Sequence, residues 1–188
     1  MHTYARTLGI MFGVILFSLS AVITLETLLR KLFSFSLGGI DELGGYAIAV
    51  AAPLAFTLAL IDNSHIRINQ LTGRMPEKAQ ALLNVAATLS MALLSIFFLY
   101  FTVQTVMDTH TYKSIAQTPW ATPLIYPQVI WLVAMLTFPA ATVILAFRAL
   151  ARLLKRDWAA LINQFGPVSA QQELQAELDD LKKREGFE

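Results

Sequence analysis

A chain of 188 residues that is 56% hydrophobic and only 14% charged is too apolar for an ordinary soluble domain, in which about a quarter of residues are charged. It contains no cysteine, which excludes disulfides, thiolate metal sites and cysteine nucleophiles, and a net charge of +1 supplies no global field that would draw it to nucleic acid. The three histidines, His2, His65 and His110, lie outside the apolar runs, so no histidine is placed to ligate a haem inside a helical bundle.

The first apolar run is Leu8 to Leu29, preceded by Arg6 and closed by Arg30-Lys31. Ser18-Leu19-Ser20 loosely resembles a signal-peptidase site, but the apolar run continues past it and is too long for a signal h-region, so a retained helix is expected. Glu26 stands near its far end, with Arg30 four residues later. That is the favourable order for an i,i+4 ion pair, and both side chains can reach the membrane interface. A carboxylate within a span also counts as a functional candidate.

A short aromatic connector, Phe33 to Gly39, leads to Asp41-Glu42-Leu43. Asp41 suits an N-cap and Glu42 a first helical turn, where a carboxylate meets the positive helix end. The uncharged run that follows reaches Ile61 and is about long enough for a bilayer core, which takes roughly 20 apolar residues. Alanine recurs at every fourth position, Ala47, Ala51, Ala55 and Ala59, giving one face of small side chains that another helix can approach closely. Pro53 falls mid-helix and removes a backbone hydrogen bond. At the exit, His65 and Arg67 are positioned to meet lipid phosphate or an acidic partner loop, or to cap the carbonyls of the preceding helix.

Thr72 to Pro76 breaks the chain, and Pro76 opens a third helix reaching about Met107. At ~1.5 Å per residue it exceeds a ~30 Å hydrocarbon core and must tilt or project. Asp108 to Tyr126 is polar and then proline-rich, a structured loop in which Trp120 is a candidate interface anchor. Val129 to Leu150 forms the fourth run, with Pro139 inside and Arg148, Arg152, Lys155, Arg156 and Trp158 at its end. Gly166-Pro167 stops the preceding helix. Ser169 to Gln172 fits a capping box, after which Leu174, Leu178 and Leu181 mark an amphipathic surface helix or a solvated tail.

These elements predict an all-α integral membrane protein: four long tilted transmembrane helices (spans about 8–30, 43–61, 78–107 and 128–150 within a domain 1–158), with a C-terminal amphipathic tail at 159–188. With four spans, Arg6, Arg67, Arg74, Lys78, Arg148, Arg152, Lys155, Arg156, Lys182, Lys183 and Arg184 share one side, and only Arg30, Lys31 and Lys113 the other. That asymmetry predicts both termini on the cytoplasmic side. Beyond Glu26 the spans offer little chemistry. There is no P-loop, no Gly-x-Ser-x-Gly, no metal-ligand spacing and no internal repeat of the kind secondary transporters carry. No catalytic, metal, cofactor or substrate site is therefore expected, and the chain reads as a helper that packs against something larger.

The order Asp41-Glu42-Leu43, then His65-Ile66-Arg67-Ile68-Asn69 with Leu71 and Pro76, then Ser114, Thr122-Pro123-Leu124, Pro127 and Trp131, set on four helices of this size, resembles the small membrane subunit (Q component, DctQ-like) of a tripartite ATP-independent periplasmic (TRAP) transporter. The resemblance covers roughly Leu8 to Arg156; Pro123 departs from the more aliphatic or aromatic stretch expected there. It implies a multi-pass protein of the bacterial inner membrane that is not an enzyme. It implies a scaffold for a large multi-span subunit that carries an organic acid or related solute inward on a sodium gradient. It further implies transient docking of a periplasmic solute-binding protein, with Lys113 to Tyr126 as the candidate region. The candidate partner or lipid contacts are Glu26, Arg30, Glu42, Ala47, Ala51, Ala55, Ala59, His65, Arg67, Lys113 and Trp120. Two other readings remain: a stand-alone four-helix channel or exporter, and an accessory subunit of a different membrane complex.

Overall fold

The structure is a computed structural model that describes residues 2–61, 72, 75–166, 174, 175, 178 and 181. Among the described residues the chain is helical: α1 (His2–Phe33), α2 (Ile40–Ile61), α3 (Glu77–Tyr112), α4 (Ile125–Leu154) and a short α5 (Trp158–Phe165). The first four are long and apolar enough to cross a membrane. His65 and Arg67, and the capping box expected at Ser169 to Gln172, lie outside the described residues. Leu174, Leu178 and Leu181 are helical and exposed.

Two compact units divide the chain, one comprising residues 1–64 and 90–145, the other 65–89 and 146–188. In the first, α1 and α2 pack against each other through the connector at 34–39. Leu8, Leu54 and Ala134 bring α1, α2 and α4 into one apolar cluster, flanked by Phe12, Ile15, Val50 and Ile61. A second cluster joins Leu60 to Phe138 and Ala141, with Met91 and Leu145 beside it, and the rings of Phe56 and Phe138 lie 5.9 Å apart. Hydroxyl pairs cross the helices at both levels: Thr57 with Thr137 at 3.0 Å, and the buried Ser95 with Thr142 at 2.7 Å. Since lipid tails are as apolar as leucine, such close packing and interhelical hydrogen bonding replace the hydrophobic effect as the adhesive.

In the second unit, Ala81, Val85 and Thr88 of α3, Ala146 and Ala149 of α4, and Leu161 and Phe165 of α5 are buried. Arg156, in the left-handed region at φ 53°, ends α4. Asp157 then caps α5, accepting from the Ala160 amide at 3.2 Å and from Arg152 Nη1 at 3.2 Å. Gly166 closes α5 by donating its amide to the Ile162 carbonyl at 2.8 Å.

Helix ends differ from the sequence-based expectation in several places. Asp41 is not the N-cap of α2. Gly39 takes that position, its carbonyl accepting from the amides of Glu42 at 3.0 Å and Leu43 at 3.2 Å, so Asp41 and Glu42 both fall in the first turn. Pro76 precedes α3 rather than opening it, and its carbonyl accepts from Ala79 and Gln80. α3 runs to Tyr112, where Lys113 turns left-handed at φ 50°. Polarity begins at Asp108, but an α-helix needs only its backbone bonds to continue.

Candidate functional site

The polar chemistry of the first unit converges where α1 gives way to α2. Glu26, 5% exposed, accepts from Arg30 Nη2 at 2.8 Å, as the i,i+4 spacing requires. It also accepts from Ser36 Oγ at 2.6 Å and from the Leu37 amide at 2.9 Å. The carboxylate thus folds the connector back onto the helix it has just left. Ser34, Gly38 and Gly39 all take positive φ in this tight reversal.

Glu42 makes the second attachment. It is 7% exposed and accepts from Tyr46 Oη at 2.6 Å and from Thr118 Oγ1, which belongs to the loop between α3 and α4. That loop is itself closed by an antiparallel bridge between Ile115 and Pro123. The Ala116 amide donates to the Thr122 carbonyl at 2.9 Å and the Leu124 amide to Ser114 at 3.0 Å. Pro123, the departure noted in the sequence, therefore sits in the bridge at a position where its neighbours Thr122 and Leu124 make the hydrogen bonds and no N–H of its own is needed. Trp120 lies over Gly39: a Cβ there would come within 2.6 Å of the indole. The connector and the loop form one surface, pinned by two buried carboxylates and one tryptophan. Lys113 is exposed on it and Trp120 half exposed.

Beside the connector, α1 and α2 border a cavity of about 580 Å³ lined by Glu26, Arg30, Lys31, Asp41, Gly44 and Gly45, with Ile23 and Ile48 deeper along the helices. Gly45 helps to keep it open, since a Cβ there would meet nothing within 4 Å.

Of the alanine repeat, Ala51 is buried within the chain itself, whereas Ala47, Ala55 and Ala59 are half-buried. The exposed apolar surface lies elsewhere. Only 6% of the most apolar window of α1 is buried, and α3 presents Leu93, Phe97, Tyr100 and Phe101 outward. Among the described residues no three His, Asp or Glu side chains are grouped to hold a metal. Sequence reasoning singled out Glu26, Glu42 and Trp120 but not Ser36, Gly39, Tyr46 or Thr118. Tyr46, four residues after Glu42, had a helical signal; Thr118, 76 residues away, had none.

Residues 19–157 match the family model described as tripartite ATP-independent periplasmic transporters, DctQ component. The chain belongs to the DctQ family. It is thus the small membrane subunit of a TRAP transporter, with the four-helix membrane architecture expected from its sequence. A search of curated proteins returned no match.

Proposed function

We propose that this DctQ subunit is a scaffold within a sodium-driven TRAP system that imports an organic acid or related solute. The observation that carries the reading is the family match across residues 19–157. The geometry fits it: among the described residues, the buried carboxylates Glu26 and Glu42 are engaged in fastening loops, and the apolar faces of α1 and α3 are left for lipid and the large subunit. The connector and the 113–124 loop, held together by Glu42, offer a preformed face for the periplasmic binding protein. Arg30, Lys31 and Lys113 put cations on that side. Both termini are then cytoplasmic, in a bacterial inner membrane.

The test is solute uptake into vesicles holding this subunit and the large one, with the binding protein added outside. Uptake should require all three components and a sodium gradient. Equal uptake without this subunit, or without sodium, would refute the reading.

A further inference from the structure

A second, quite different polar feature lies in the other unit. The last two turns of α4 and the short α5 border an open cavity of about 410 Å³ lined by Arg148, Ala151, Arg152, Lys155, Asp157 and Gln164. Arg148, Arg152 and Lys155 recur at i, i+4 and i+7 and so share one face of α4. The single carboxylate in the lining is occupied, since Asp157 caps α5 and holds the Arg152 guanidinium. That arrangement fixes one wall of the pocket and leaves a cationic lining. Directly beside it, Phe147 and Leu154 flank Ala151 as an exposed apolar stripe, 68% and 85% exposed respectively.

The depth of this pocket follows from helix length. α4 has 30 residues, about 45 Å at ~1.5 Å per residue, which matches a bilayer counted through both headgroup layers. Its last turn therefore stands at headgroup level, whereas Phe147 and Arg148, about two turns inward from Leu154, stand at the edge of the acyl chains, from which the long Arg148 side chain can reach out to the headgroups. Cationic side chains that reach headgroup depth, above a phenylalanine at the acyl-chain edge, match the two ends of one amphiphile.

We propose that this pocket binds an anionic phospholipid, its phosphate held by Arg148, Arg152 and Lys155 and its acyl chain laid along Phe147. The site goes beyond the scaffold role and does not depend on it; it depends only on α4 crossing the membrane. Each cation near an anionic headgroup strengthens binding about fivefold.

The experiment is native mass spectrometry of the full chain in detergent, titrated with phosphatidylglycerol or phosphatidylcholine. The variant is Arg148→Gln with Lys155→Gln, which leaves the Arg152–Asp157 contact in place. The proposal expects phosphatidylglycerol to bind the unaltered chain more tightly than phosphatidylcholine. The double variant should lose about 25-fold of the phosphatidylglycerol affinity, two cations at about fivefold each, and little of the phosphatidylcholine affinity. Arg148→Lys with Lys155→Arg should retain it. Equal binding of the two lipids, an undiminished double variant, or parallel losses for both lipids would overturn the proposal. Inorganic phosphate displacing phosphatidylglycerol at equal concentration would also overturn it, by making the site one for the free anion.

Discussion

Three glycines around the α1–α2 connector separate two kinds of strain that are usually confounded. Gly38 sits at φ +63° with its nearest neighbour, Pro119 Cβ, 3.9 Å from where a methyl would be. Replacing it with alanine should cost only the left-handed backbone penalty, about 1–2 kcal/mol. Gly39 sits at φ +77°, and its methyl would come within 2.6, 2.7 and 2.9 Å of three indole carbons of Trp120. Gly39→Ala therefore carries the same backbone penalty plus an overpacking cost of about 1–3 kcal/mol, or about 2–5 kcal/mol together. Gly45, helical and facing open space, should be neutral to about 1 kcal/mol stabilising as alanine. Reversible denaturation of the chain in mixed micelles ranks the three variants. Trp120 emission, read in a background with Trp131 and Trp158 changed to Phe, reports whether the indole is displaced toward water. If Gly39→Ala proves no less stable than Gly38→Ala and leaves the emission unchanged, the stacking of the loop on the connector is wrong.

Glu42→Ala removes the acceptor for Tyr46 and Thr118; trypsin should then cut after Lys113 faster than in the unaltered chain while circular dichroism shows helix content preserved. A double-mutant cycle of Ser95→Ala with Thr142→Val should return a coupling of about 0.6 kcal/mol, and no more than ~1.7, as for other hydroxyl pairs between membrane helices. Ala51→Leu, at a site only 3% exposed, should destabilise the chain by about 1–3 kcal/mol and weaken co-purification with the large subunit, measured by unfolding and by pull-down yield. Lys113→Glu, exposed beside the loop, should slow solute uptake without loss of assembled complex.

Much of this molecule was legible because its longest signals are compositional. Apolar runs broken at Arg30-Lys31, at Thr72 to Pro76 and through Asp108 to Tyr126 place four spans without any appeal to packing. The Glu26–Arg30 pair followed from helical spacing and is present at 2.8 Å. Helix ends were harder, for one shared reason. The residues that turn left-handed after α1, α3 and α4 are Ser34, Lys113 and Arg156, whereas the sequence signal for such an ending is glycine. The break between α4 and α5 at Arg156-Asp157 was accordingly invisible, and α3 outran its expected end by several residues. At the start of α2 both Gly39 and Asp41 carry a cap signal, and the carbonyl of Gly39 is the one that accepts from the first turn. The Thr118 contact could not be read because nothing in a threonine at that position announces a carboxylate on another helix. Likewise, Arg148, Arg152 and Lys155 read in the sequence as topology signals, and only α5 lying beside them makes them the lining of a pocket.

The scaffold role rests most directly on what this chain assembles with. A tagged copy purified from native membranes in mild detergent, with mass spectrometry of what accompanies it, should recover a stoichiometric, many-span membrane subunit and recruit a periplasmic solute-binding protein. Recovery of this chain alone, as a defined homo-oligomer, would contradict the scaffold role and turn attention back to Glu26 as a residue of transport.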